Sequence, residues 1–207
     1  MLVCGTGTEV GKTWMAARTI ECLRAAGTTV SARTPVQSFT PGDGPTDADV
    51  LAAATGEGPH DVCPPHRWYD VAMAPPMAAE VLGRPRFTVT DLAAELRWPE
   101  AVEVGIVETV GGVRSPIAAD GDSVALAQLL SPDIVVVVAD AGLGTINAVR
   151  LSVAPFTGRR VVVVLNRFDE DDDLHARNLA WLCERDGLEV VTRCEEVAAR
   201  VRFAAMG

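Results

Sequence analysis

Six runs of apolar, largely β-branched residues recur along the chain: Met1–Cys4, Thr29–Arg33, Val104–Glu108, Ile134–Ala139, Val161–Leu165 and Leu188–Thr192. Between them lie segments rich in Ala and Leu with helical period, at Lys12–Ala26, Ala48–Ala54, Thr90–Arg97, Ser123–Leu130, Thr145–Ser152 and Asp172–Arg185. Such alternation predicts an α/β fold with a mostly parallel sheet. Val135–Val138 and Val161–Leu165 are apolar at every position, as central strands covered by helices on both faces are. The expected architecture is therefore doubly wound, of P-loop NTPase type.

Two stretches break the pattern and read as loops: Pro41–Pro45, and Pro59–Pro76 with two Pro-Pro pairs. Neither is long enough to separate two domains, so residues 1–207 are expected to form one nucleotide-binding domain. The first strand starts at residue 1 without a lead-in, which predicts a natural start a few residues upstream.

Composition narrows the function. The chain has 207 residues, 18 basic and 28 acidic, for a net charge of −10. Lys12 is its only lysine; every other basic residue is an arginine. Sequence-independent nucleic-acid binding draws on many cationic contacts to phosphates, so nucleic acid is not an expected partner. Five scattered cysteines with no Cys-x-x-Cys pair argue against a disulfide framework or zinc ribbon and for reduced thiols. No apolar run approaches the roughly 18 residues that span a bilayer, and no signal peptide is visible. The expected location is the cytoplasm, with no membrane partner.

The single lysine lies in Gly5-Thr-Gly-Thr-Glu-Val-Gly-Lys12-Thr13, after the first strand and at the start of the first helix, the context a P-loop requires. Backbone N–H groups of Thr8, Glu9, Val10, Gly11, Lys12 and Thr13 are expected to curl around ATP phosphates at the helix N-terminus. Lys12 would reach the β- and γ-phosphates, and the Thr13 hydroxyl would hold Mg²⁺. Counted strictly, the motif's first glycine falls on Thr6, so Gly5 or Gly7 must supply the flexible turn.

Mg²⁺ also takes carboxylates. Glu108 ends an apolar strand, at the edge where open α/β sheets bind ligands, and Asp47 opens a helix after the Gly/Pro loop. A solvated strand end is the alternative for Glu108, and a helix N-cap for Asp47. Gly111 and Gly112 would let backbone amides approach an anion closely, unless they form a plain turn. Asn166, with Arg167 beside it, follows another strand, where a side-chain amide can read a nucleobase edge or simply terminate a turn.

Taken together these residues resemble the dethiobiotin synthetases, ATP- and Mg²⁺-dependent homodimeric ligases. The specific matches are the stretch from Gly5 to Thr13, Pro35-Val36 with Ser38, Asp47, Glu108 with Gly111-Gly112, Gly142-Leu-Gly-Thr-Ile-Asn147, and Asn166. The resemblance implies that a diamine, 7,8-diaminononanoate, takes up CO₂ as a carbamate. ATP then phosphorylates the carbamate, and the second amine closes a cyclic urea. It assigns Mg²⁺ to Thr13, Asp47 and Glu108, ATP to the P-loop with Asp47, Glu108, Gly111, Asn166 and Arg167, and substrate to Ser38, Gly111, Gly112, Thr145 and Asn147.

The chain departs from this family at the catalytic lysine that precedes the Pro-Val, where it has Thr34. Arg33 should point to the opposite face of its strand, which leaves Arg114 as the nearest replacement in the motifs. Val110 replaces a small residue, Ala74 replaces a serine before Pro75, and Thr192–Glu196 lacks the family's Gly-x-x-Pro. Three readings follow: the ligase itself; a paralogue that activates another carbamate or carboxylate; and a nucleotide-switched binding ATPase, disfavoured by the absence of a second P-loop lysine. Cys63-Pro-Pro-His66 has half-site metal spacing but reads as an incidental loop pair, and the acidic run Asp169–Asp173 reads as a helix start.

Overall fold

The computed structural model describes residues 1–205. In chain order its elements are β1 (Leu2–Gly5), α1 (Lys12–Ala25), β2 (Val30–Arg33), β3 (Gln37–Ser38), α2 (Asp47–Thr55), α3 (Pro59–Val62), β4 (Trp68–Tyr69), α4 (Pro75–Val81) and α5 (Val89–Glu95). They continue with β5 (Val104–Glu108), β6 (Pro116–Ala118), β7 (Gly121–Asp122), α6 (Ser123–Leu130), β8 (Val135–Asp140), α7 (Thr145–Val153), β9 (Val161–Asn166), α8 (Asp173–Ala180), β10 (Glu189–Val191) and α9 (Cys194–Ala205).

Six strands form one sheet in the order β10-β9-β8-β1-β5-β2, every neighbouring pair parallel. Because side chains alternate across a strand, β1 sends Val3 to one face and Leu2 and Cys4 to the other. Val3 joins a core with Met15, Ile20 and Leu23 of α1 and Val197 and Val201 of α9. Leu2 and Cys4 join a second core with Leu92 of α5 and Leu126 of α6. Helices therefore cover both faces, and the sheet is doubly wound as the apolar runs predict. β1 lies between β5 and β8, where chain order reverses, so the cleft outside its carboxyl end is the expected ligand site.

The differences from expectation are local. The segment 59–76, expected as a loop, carries α3, a 3₁₀ turn at Pro65–Arg67 and β4, and α4 begins at Pro75, where proline suits the first helical turn. The helix expected at 172–185 ends at Ala180 and passes into a π-turn at Trp181–Arg185. The helix expected at 90–97 stops at Glu95. Helix α9 and the short hairpin β6–β7 have no counterpart in the sequence pattern, because α9 buries only a narrow stripe of small side chains. Asp172 caps α8 by accepting from the amides of Leu174 and His175, consistent with the acidic run as a helix start. Among the described residues no helix is long and apolar enough to cross a membrane.

Candidate functional site

The strand β1 ends at Gly5, and the chain then loops to α1 with its helical N-terminus open. A Cβ on Gly5 would lie 2.9 Å from Lys12 Cδ, whereas one on Gly7 would meet nothing closer than 3.9 Å. Gly5, not Gly7, is therefore the glycine that the close approach of the Lys12 and Val10 side chains requires. The Lys12 side chain arches over Gly5 and donates from Nζ to the Gly7 carbonyl at 3.2 Å. Gly11, with φ of 90°, stands at the N-cap of α1 and supplies no side-chain cap, so the first amides of the helix face the loop's interior without a side-chain acceptor.

The end of β9 braces this loop from the side. Asn166 donates from Nδ2 to the Val10 carbonyl at 2.9 Å, while the Val10 side chain packs on the core. A Cβ on Gly11 would sit 2.1 Å from that same Nδ2. Arg167, in the left-handed region at φ 57°, donates to the Glu9 carbonyl at 2.8 Å and to Asp140 at 2.9 Å. The Gly142 amide and Arg167 together hold the Asp140 carboxyl below its usual range.

Three oxygen donors meet beneath the loop. Thr13 Oγ1 lies 2.7 Å from Asp47 Oδ1 and 2.6 Å from Glu108 Oε1. A hydroxyl has one proton and can donate to only one of them. Burial, reinforced by Asp47, pushes Glu108 up to about 8 despite the Thr13 hydrogen bond and the charge of Lys12. Its other oxygen, Oε2, is buried with no partner. Two carboxyls and a hydroxyl crowded so closely, one oxygen left over, form an oxygen-rich set suited to a hard divalent cation. Glu108 is not a solvated strand end. Nor is Asp47 an N-cap: Thr46 caps α2 in a reciprocal box with Asp49, which leaves the Asp47 carboxylate free to face Thr13.

A cavity of about 760 Å³ opens over this cluster. Thr8, Glu9, Gly11, Lys12, Thr13 and Asp47 line its polar side. Its far wall is mostly apolar, from Met73, Ala74, Pro75, Val110 and Pro116, with Ser38, Gly111 and Ser115 as polar points. Sequence reasoning missed Met73, Ser115 and Pro116, which carry no motif and reach the site through β4, α4 and the β6–β7 hairpin. Ser38 donates from Oγ to the Met73 carbonyl at 2.6 Å and so ties that wall to β3. A second cavity, of about 690 Å³, lies on the other side of the loop and includes Gly11, Trp14, Asn166, Arg167, Phe168 and Thr192. Gly11 and Arg167 border both.

Several expected residues lie elsewhere. Thr34 is buried away from the cavity; its amide donates to Val62 O and its hydroxyl to Val36 O at 3.3 Å. Arg33 is buried too, donating to Glu57 at 2.8 Å and to the Arg97 carbonyl at 2.6 Å beneath the Trp98 ring, and so does not replace the lysine. Arg114 points outward and pairs with Asp122 at 2.8 Å, which corrects its candidacy as a substitute cation. Gly112 and Asn147 border a separate hollow with Thr6 and Leu151, not the main cavity. A Cβ on Gly112 would come within 3.3 Å of Thr6 O, so this glycine serves close packing of its loop against the P-loop. Thr145 is buried at the start of α7, its hydroxyl without a partner. Cys63 is buried and its thiol pushed up by burial, while His66 pairs with Glu95, so the half-site is an incidental pair.

Comparison with known proteins gives the family. A family model described as AAA domain matches residues 1–200. The ATP-dependent dethiobiotin synthetase BioD of Anaeromyxobacter dehalogenans (strain 2CP-C) is 33% identical over 211 residues, covering 98% of this chain and 93% of its own. Its namesake in Haloferax mediterranei is 36% identical over 199 residues, covering 92% and 81%, and that of Caulobacter vibrioides (strain NA1000 / CB15N) is 38% identical over 152 residues, covering 70% and 68%. By its P-loop, its doubly wound sheet and these relatives, the chain belongs to the dethiobiotin synthetase family.

Proposed function

We propose that the chain is an ATP- and Mg²⁺-dependent ligase that closes a cyclic urea from 7,8-diaminononanoate and CO₂ through a phosphorylated carbamate. The observation that carries this reading is the meeting of Thr13, Asp47 and Glu108 beside Lys12, at the polar end of a cavity whose other end is apolar. The open amides of α1 bind the phosphates, and Lys12 neutralises charge on the phosphoryl group in transfer. Thr13, Asp47 and Glu108 would hold Mg²⁺, which supplies charge neutralisation between phosphates when bound. The apolar wall from Met73 to Val110 excludes water from the carbamate and suits an aliphatic diamine. Asn166 and Arg167, which line the second cavity, support a nucleobase on the far side of the loop.

Gly112 and Asn147 are assigned to substrate through a second copy of the chain, whereas Thr145, buried at the start of α7, lines neither the main cavity nor the separate hollow. The position of Gly112 and Asn147 outside the main cavity of their own chain, in a hollow shared with the exposed Leu151, supports a homodimer in which each copy completes the other's site.

Thr34 favours a second reading, a paralogue that uses the same ATP site to activate a different carbamate or carboxylate. Losing a cation aimed at developing charge costs on the order of 3 kcal/mol, roughly a hundredfold in rate. The deciding experiment incubates the protein with ATP, Mg²⁺, bicarbonate and the diamine, and follows phosphate and cyclic urea. The ligase reading expects product from the wild type and a large gain in Thr34→Lys. Absence of product from both, with phosphate released on another amine or carboxylate, selects the paralogue.

A further inference from the structure

The two thiols nearest each other in the described residues lie apart from the Thr13–Asp47–Glu108 cluster. Cys22, on the last turns of α1, and Cys194, the first residue of α9, place their sulfurs 3.9 Å apart. The Glu195 carboxylate lies within 4.8 Å of both. This is the only group of three or more metal-ligating side chains of His, Cys, Asp and Glu so arranged among the described residues. A disulfide requires sulfurs about 2.05 Å apart. Two thiolates on one tetrahedral zinc, each bonded at about 2.3 Å, sit about 3.8 Å apart. The observed spacing fits the second geometry.

We propose that Cys22, Cys194 and Glu195 form a binding site for a soft divalent cation of the Zn²⁺ class, seated between α1 and α9. The supporting chemistry is local. Burial and the neighbouring Cys22 push Cys194 up to about 11, so the Cys194 thiol keeps its proton until a cation displaces it. Binding then forms two metal–sulfur bonds and releases two protons to solvent, with the Glu195 carboxylate as third ligand and water in the open position. The start of the twelve-residue α9 favours the negative charge that the two thiolates bring. Glu195 is exposed and gives the cation its entry. Cys194 and Glu195 also border the cavity that contains Trp14 and Asn166, so an occupied site clamps the two helices that flank it. The proposal does not rest on the ligase reading, because its test measures metal binding and not turnover, although Cys194 and Glu195 border the cavity assigned above to a nucleobase.

The test titrates the reduced, chelator-treated full chain with Zn²⁺ against a metallochromic indicator, in excess Mg²⁺ so that the oxygen site does not compete. A parallel titration with Co²⁺ follows thiolate-to-metal absorption. The expected result is one equivalent per chain with that absorption, an affinity at least about tenfold weaker in Cys22→Ser, and a weaker site with the absorption retained in Glu195→Gln. Binding unchanged in Cys22→Ser overturns the proposal, as does a chain without thiolate absorption or a disulfide pair that binds no metal once reduced. Because Glu195 is exposed, Glu195→Gln reports even where Cys22→Ser disturbs packing; undiminished affinity there also removes the three-ligand site.

Discussion

At the scale of single residues, the P-loop is held by contacts that only one side chain, or none, can make. Gly11 is the clearest case: its φ of 90° and the Asn166 amide, 2.1 Å from where a Cβ would stand, each exclude a larger residue. Gly11→Ala must push Asn166 off Val10 and strain the helix start. We expect a loss of about 1–3 kcal/mol in folding free energy and a weaker nucleotide affinity, read by urea denaturation and by titration with a labelled ATP analogue. Wild-type values for both would refute the bracing role of Asn166. The glycines and the Lys12-Thr13 pair were readable in the sequence because a P-loop is local. Asn166's hold on Val10, 156 residues away in the chain, was not, and neither was the choice of Gly5 over Gly7.

Among the elements, α2 shows how a cap positions chemistry. The Thr46–Asp49 box fixes where the helix begins, and the first helical residue, Asp47, is thereby held at 2.7 Å from Thr13. Removing the box with Thr46→Ala is expected to cost about 1 kcal/mol of stability and to lower the affinity for Mg²⁺, measured by thermal melting with and without the metal. If stability falls but metal affinity is unchanged, the cap holds the helix without holding Asp47. Sequence periodicity placed this helix and the central strands within a residue or two, since amphipathic and wholly apolar runs carry their burial with them. It failed on 59–76 and on α9. The pieces of 59–76 are too short for a period to develop, and β4 is a strand only because β3 lies beside it. Helix α9 takes its order from packing against α1.

For the whole molecule, the parallel sheet brings together carboxyls that are distant in sequence, and stability should register it. Glu108 is raised from an ordinary 4.5 to about 8 by its burial and by Asp47. Between those values the folded chain binds more protons than the unfolded one, so stability falls as pH rises. In the absence of metal, the melting temperature is expected to decline from about pH 5 to pH 8 from this group, and added Mg²⁺ with ATP to restore it most at the upper end. A metal effect of equal size at pH 5 and pH 8 would remove Glu108 from the cation site. The proposed homodimer is tested at the same scale: sedimentation should give twice the chain mass, and Leu151→Asp should shift it toward the monomer. A wild-type monomer at micromolar concentration would instead leave Gly112 and Asn147 outside any substrate site.

The sequence alone determined the alternation of strands and helices, the phosphate loop and the identity of its one lysine, because each is written in neighbouring residues. It also carried the departure at Thr34. Tertiary structure alone decided what surrounds that departure: Arg33 is committed to Glu57, Arg114 to Asp122, and Thr34 faces a backbone carbonyl. It likewise decided that Thr13, Asp47 and Glu108 share one point. Strand order fixes which carboxyl ends meet, and a side chain's partner depends on elements that the chain reaches only after folding.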